Sequence, residues 1–123
     1  MIVNREDLAW AAGFFDGEGH VRCDLRPNGR ASSLSISIEQ RHREVLENFN
    51  NVTGRLGQLK GPYPGYNNPA RNPHYRLNIH GFEKIQAILA MLWPWLGRVK
   101  KEQFKLALLI WNSREGRRLK RRH

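Results

Sequence analysis

The segment over residues 5–19 constrains the fold of this chain more than any other part of the sequence. Asn4 is placed to cap a helix over residues 5–16, because its side chain can accept a hydrogen bond from a backbone N–H of the first turn. Such a helix would be apolar nearly all round, which predicts that it is buried. The residues that make the helix apolar on nearly all sides are Leu8, Trp10, Ala12, Phe14 and Phe15.

The same helix carries a ridge of minimal side chains and ends in two acids. Ala9, Gly13 and Gly17 lie four residues apart, a spacing that lets another backbone approach closely. Asp16 and Glu18 follow at the carboxyl end, where the helix dipole is negative and disfavours anions. These acids need a compensating cation, and a divalent metal ion is the simplest one.

Hydrophobic periodicity predicts an α+β chain with the order helix, two strands, helix, two strands, two helices. The strands are expected at residues 20–25, 33–38, 55–60 and 74–80, and the later helices at 43–52, 81–92 and 98–113. Residues 61–73 contain four prolines and two glycines, which favour a loop. Neither an internal repeat nor a linker is visible, so a single domain over residues 1–113 is expected, followed by a basic tail at 114–123.

Alternating residues give the expected strands a polar outer face. In the first strand, Val21, Cys23 and Leu25 would face the core and their polar neighbours would face outward. A β-ribbon of this kind can enter the DNA major groove, although the pattern also fits an ordinary solvated sheet. The residues expected to contact DNA are His20, Arg22, Asp24, Arg26, Arg30, Ser35, Ser37, Arg55, Lys60, His74, Arg76, Asn78 and His80.

Charge and cysteine content narrow the partners and the compartment. The formal net charge of +10 indicates that the partner of this chain is a polyanion. That partner would be DNA or, if the chain is a ribosomal or general RNA-binding protein, RNA. Cys23 is the single cysteine, which excludes an internal disulfide framework and a cysteine-rich zinc site. The charged N-terminus and the lack of a long apolar run predict an intracellular protein with no export signal and no membrane partner.

Residues 11–19, Ala-Ala-Gly-Phe-Phe-Asp-Gly-Glu-Gly, resemble the signature of the LAGLIDADG homing endonucleases in its G-F-x-D-G-E-G form. Ala11 replaces the usual leucine, and Glu18 replaces the second aspartate, as in other members. Residues 39–46 and 92–103 resemble two further family segments. The resemblance implies an αββαββα fold with an antiparallel DNA-binding sheet and an additional C-terminal helix.

The resemblance also implies a reaction and the residues that perform it. Glu18 would bind Mg²⁺, or another divalent cation such as Mn²⁺, with Asp16 as a secondary ligand. Gln40 would order the attacking water. Lys100 would be the active-site lysine, and the remaining cations that compete with it for this role are Lys101 and Arg98.

A single motif per chain implies a homodimer that cuts both DNA strands at a long, palindromic or near-palindromic target. The motif helices of two copies would pack through Ala9, Ala12, Gly13 and Gly17. An intron-encoded protein of this family can also act on intron RNA as a splicing maturase, or keep the fold as a catalytically silent DNA-binding protein. The basic residues of 114–123 fit either a phosphate-binding extension or a solubilising tail.

Overall fold

The computed structural model describes residues 4–65 and 73–121, except for the side chains of Ser32 and of residues 114–121. The elements within these residues are α1 (Arg5–Glu18), β1 (Gly19–Leu25), β2 (Ala31–Gln40), α2 (Arg43–Val52), β3 (Gln58–Tyr63), β4 (His74–His80), α3 (Phe82–Leu92) and α4 (Arg98–Arg121). A 3-10 turn, Trp93–Trp95, joins α3 to α4. The predicted α+β class and the αββαββα order with an added C-terminal helix are confirmed.

The four strands form one antiparallel sheet in the order β1-β2-β4-β3. The core lies between one face of this sheet and the helices. Its sheet side is built by the alternate apolar residues of the two central strands, Leu34, Ile36 and Ile38 on β2 and Leu77 and Ile79 on β4. The opposite face of the sheet is therefore left to the polar residues between them.

The motif helix begins as predicted but ends later. The Asn4 side chain accepts a hydrogen bond from the Asp7 backbone N–H at 2.8 Å, which confirms the N-cap. The helix continues through Glu18, two residues beyond the predicted end. The turn into β1 follows at once. The Gly19 N–H still bonds to the Phe15 carbonyl, but the Gly19 backbone is already extended. A side chain on Gly19 would overlap the Phe15 ring, so this turn requires glycine.

Other boundaries differ because tertiary pairing extends the elements. β3 begins at Gln58 rather than at Arg55, which lies in a left-handed turn with φ of 59°. β3 then continues to Tyr63, into the segment expected to be a loop, most of which lies outside the described residues. α4 extends past Ser113 to Arg121, so the expected helix end at 113 is wrong. None of the helices in the part of the chain described above has the length and apolar composition needed to cross a bilayer.

Candidate functional site

The face of the sheet turned away from the helices carries rows of polar side chains that run across the strands. His20 lies opposite Ser37, Ser37 opposite Asn78, and Asn78 opposite Gln58, so one polar row crosses all four strands. The rows on either side of it continue the pattern. We call this surface the polar face: its residues are His20, Arg22, Asp24, Ser33, Ser35, Ser37, Glu39, Gln58, Lys60, Arg76, Asn78 and His80.

Most of the residues predicted to contact DNA lie on the polar face or at its end. His20, Arg22, Lys60 and His80 are exposed there. Asp24, Ser37, Arg76 and Asn78 are half-buried among their neighbours. The predicted contacts omit three residues of this surface, Ser33, Glu39 and Gln58, although the alternation along each strand would have placed them there.

Three of the residues predicted to contact DNA are not exposed side chains of the polar face. Ser35 lies on the polar face but is only 8% exposed, between its strand partners Arg22 and His80. His74 is 9% exposed, and its ring packs 5.6 Å from that of Tyr63. Arg55 is outside the sheet, where its Nε donates to the Asn51 side chain at 3.1 Å.

The hairpin between β1 and β2 adds two of the predicted arginines. Arg26 and Arg30 close the turn by a backbone hydrogen bond of 2.8 Å, and Arg26 is exposed. The backbone N–H of Arg30 donates to the Asn28 side chain at 3.0 Å. Among the described residues, the buried Nε of Arg30 has no hydrogen-bond partner. Arg26 therefore offers a solvated cation, whereas Arg30 is partly covered by the turn.

Glu18 and Gln40 lie at the same end of the sheet. Glu18 is the exposed last residue of α1, directly before the strand residue Gly19. Gly19 pairs with Ile38, and Gln40 follows Ile38 by two residues on the same side of β2. The Gln40 side-chain oxygen accepts a hydrogen bond from the Arg41 backbone N–H at 3.0 Å. The fold thus places the predicted carboxylate and the predicted water-ordering amide at the same end of the sheet.

Asp16 has a structural partner far away in sequence. Both of its carboxylate oxygens lie 3.0 Å from the backbone N–H of Gly97, which directly precedes α4. The positive end of α4 therefore compensates the acid that the negative end of α1 disfavours. A Cβ on Gly97 would come within 3.3 Å of this carboxylate, so the glycine allows the close approach.

The three competing cations near position 100 point in different directions. Lys100 is 9% exposed and lies on the inner face of α4, four residues before the buried Phe104. Lys101 lies over the Trp93 ring at 4.7 Å, and Arg98 forms an exposed ion pair with Glu102. The Asp16 contact holds the start of α4 against the end of α1. Lys100 is therefore the cation of the three that is buried, and its Nζ donates to the Gln103 side-chain oxygen at 3.4 Å.

One side of α1 is left open. Glu6, Trp10, Gly13 and Gly17 are exposed and share one helix face, which we call the α1 stripe. A Cβ on Gly13 or Gly17 would meet no atom within 4 Å, and Ala9 is half-buried beside them. The prediction that this helix is buried on all sides is therefore wrong for the chain by itself.

Ala12 does not belong to that open side. It is fully buried in the chain's own core, so its assignment to a subunit interface is wrong. At 100° per residue, Ala12 projects from the side of α1 opposite to the α1 stripe. Sequence spacing alone does not show which side of an apolar helix packs on the sheet.

The sequence profile of the LAGLIDADG-like domain family matches residues 5–92. The solved homing endonuclease I-CvuI, in complex with its target, matches with a TM-score of 0.69 and 22% identity over 94% of this chain and 73% of that one. The archaeal intron-encoded homing endonuclease I-Vdi141I, complexed with DNA, gives 0.64 and 24% over 87% and 67%. I-GzeII, in complex with its DNA target, gives 0.69 and 19% over 94% and 38%. No curated protein matches the chain in sequence.

Proposed function

Because this chain belongs to the LAGLIDADG-like domain family, we propose that it is a site-specific homing endonuclease that cuts both strands of DNA as a homodimer. The observation that carries the proposal is the position of Glu18. Its exposed carboxylate stands where the motif helix passes into the polar face, so a duplex lying on that face would bring a phosphate to it. The net charge of +10 would favour the approach of such a duplex.

A second copy completes the proposed site. The α1 stripe offers two open glycines and the 39%-exposed ring of Trp10, which stacks on Phe14 with centroids 5.5 Å apart. Two such stripes packed about a two-fold axis would bring both Glu18 residues to the centre. The DNA target would then share this symmetry, which is the basis for expecting a palindromic or near-palindromic site.

A divalent cation fits the chemistry of the donors. In the described part of the chain, no three His, Cys, Asp or Glu side chains converge to hold a metal. Mg²⁺ is typically bound by one or two carboxylates together with phosphate oxygens and waters, a set that Glu18 of each copy and the DNA would supply. The bound ion would help to ionise a water and stabilise charge on the phosphate. Gln40 would orient that water and Lys100 would neutralise developing negative charge.

The proposal is tested with a randomised duplex library incubated with the protein and Mg²⁺, followed by sequencing of the cut ends. The expected result is a set of related sites with two-fold symmetry, cut on both strands, and no cutting when the cation is chelated. Glu18→Gln keeps the size of the side chain and removes the charge, so it should abolish cleavage. Retention of specific binding by this variant is the control for folding. Near-normal cleavage by Glu18→Gln would contradict the proposal.

A further inference from the structure

Arg76 is held more firmly than any other described arginine of the polar face. Its Nε donates to a carboxylate oxygen of Glu39 at 3.0 Å, and its Nη2 donates to the same oxygen. The guanidinium also lies 5.2 Å from the centre of the Tyr63 ring. Only about a third of the Arg76 side chain remains exposed. A charge-assisted hydrogen bond and a cation–π contact therefore fix this side chain before any ligand arrives.

The strand register places this cluster across three strands. Glu39 of β2 and Arg76 of β4 are direct cross-strand partners, and Arg76 lies opposite Lys60 of β3. The acid and the arginine are 37 positions apart in the chain. The geometry of Arg76 is therefore set by the rigid sheet rather than by a loop.

Arg22 on the edge strand shows the contrasting case. Its Nε lies 3.5 Å from Asp24 on the same strand, and 72% of its side chain is exposed. Asp24 also accepts a hydrogen bond from the Ser33 hydroxyl at 3.1 Å. Arg22 thus remains free to adjust its rotamer, whereas Arg76 does not.

A fixed guanidinium is suited to reading a base. Its planar fork matches the two acceptors on the major-groove edge of guanine. A guanidinium has five N–H donors, so bonding to Glu39 is compatible with donation to a base edge. An arginine that is already ordered also loses less side-chain entropy when it binds.

The Glu39 carboxylate has a second effect, on the phosphate backbone. It neutralises the charge of Arg76 and places a negative group on the surface that would face DNA. Phosphate attraction is the main source of affinity for arbitrary sequences, so this acid lowers that affinity. Glu39 would therefore lower the affinity for arbitrary DNA and raise the preference of Arg76 for one base.

We propose that Glu39 is a positioning residue that presets Arg76 to read one base pair in each DNA half-site and keeps this arginine from binding phosphates. The proposal rests on the proposed function, since it requires the polar face to contact DNA. It adds the residue that determines selectivity at one position of the target.

The test measures binding, without cleavage, of the full chain to a randomised duplex library in Ca²⁺, and its affinity for random DNA against salt. In Glu39→Gln, the preference at one symmetric pair of positions should fall about five-fold or more. Affinity for random DNA should rise, and the log–log salt slope should steepen by up to about 0.9. A residue that only supported the fold would weaken binding to all sequences and would produce neither change.

Two further variants make the result specific. Tyr63→Leu removes the ring contact but leaves Glu39 in place, so it should relax the same base position without steepening the salt slope. Asp24→Asn is the matched control, because it removes the other acid that pairs with an arginine on this face. It should leave the Arg76 position unchanged. In an Arg76→Ala background, Glu39→Gln should have no further effect on base preference.

The outcomes separate this proposal from the one on which it rests. If the wild-type chain enriches no sequence, the proposed DNA-reading function fails. If it enriches a motif and folded Glu39→Gln keeps the same motif and salt slope, Glu39 does not position a reader. If Glu39→Gln does not fold, Tyr63→Leu decides: an unchanged base preference in that variant overturns the proposal.

Discussion

At the scale of single residues, Asp16 shows how a tertiary contact can compensate an unfavourable local interaction between an acid and a helix dipole. The sequence places this acid at the negative end of its own helix and suggests a cation as compensation. The structure instead supplies the Gly97 N–H before α4, 3.0 Å from both carboxylate oxygens. Asp16 therefore joins two helices, which leaves Glu18 as the motif acid that is exposed.

The same contact supports a prediction about the cations at the start of α4. Lys100→Met should lower the cleavage rate by about 10²- to 10³-fold, as expected when a group that stabilises transition-state charge is removed. Specific DNA binding should be retained, since the lysine is only 9% exposed. Single-turnover cleavage of a selected target measures the effect.

Lys101→Met and Arg98→Met are the matched controls, because both remove one positive charge within two residues of Lys100. Their cations are engaged by Trp93 and by Glu102, respectively, so their cleavage rates should change much less. A larger decrease in either control than in Lys100→Met would transfer the role to that residue.

At the scale of elements, the two sides of α1 differ in burial. Its inner side packs Ala11, Ala12 and Phe15 into the core, and these three are fully buried. Its outer side, the α1 stripe, has room for close approach at both glycines. The helix therefore has one side buried in the chain and one exposed side, which a second copy would cover in the proposed dimer.

This division predicts the effect of Gly13→Leu. Because no atom lies within 4 Å of a Cβ at Gly13, the substituted chain should fold as a monomer. Leucine is also a better helix former than glycine, which is about 0.8–1 kcal/mol less favourable than alanine in a helix. Sedimentation at micromolar concentration should show a monomer for the variant and a dimer for wild type.

Gln86→Leu is the control for Gly13→Leu, since it adds the same side chain to an exposed helical position on α3. It should leave the dimer intact. A wild-type chain that remains monomeric both alone and on DNA would rule out the proposed assembly. A Gly13→Leu chain that still dimerises would exclude the α1 stripe as the interface.

At the scale of the whole molecule, the basic C-terminal residues extend a helix rather than a loose arm. The helical backbone continues to Arg121, while residues 122–123 lie outside the described residues. The backbone of the basic tail at 114–123 is therefore helical over most of its length. The division between a domain at 1–113 and this tail remains a proposal about function, with the tail binding phosphates.

Deletion of residues 117–123 tests that proposal. Affinity should fall about equally for the target and for random DNA, because phosphate contacts carry no sequence information. The log–log salt slope should flatten by about 0.9 for each phosphate that the shortened chain no longer neutralises. Affinity measured against salt for both chains provides the comparison. A change in base preference with an unchanged slope would mean that these residues read bases.

The sequence by itself determined the order of the elements, their apolar faces and the two acids of the motif. These features are local: the 3.6- and 2-residue periods of helix and strand place neighbours on shared faces, and Asn4 caps its own helix. The bounds of α2 and β4 were predicted to the residue. The roles of Glu18, Gln40 and Lys100 are predictions from resemblance, and the Asp16–Gly97 contact brings the end of α1 to the start of α4.

Only the tertiary structure decided what each face meets. Periodicity shows that residues share a side, but strand register and helix docking determine what covers that side. Ser35 and His74 are consequently buried, and Ala12 belongs to the core instead of an interface. Asp16 and Gly97, 81 positions apart, and the Glu39–Arg76 pair meet because distant elements pack together. The Glu39–Arg76 contact depends on the pairing of β2 with β4, and the Asp16–Gly97 contact depends on the docking of α1 against the start of α4.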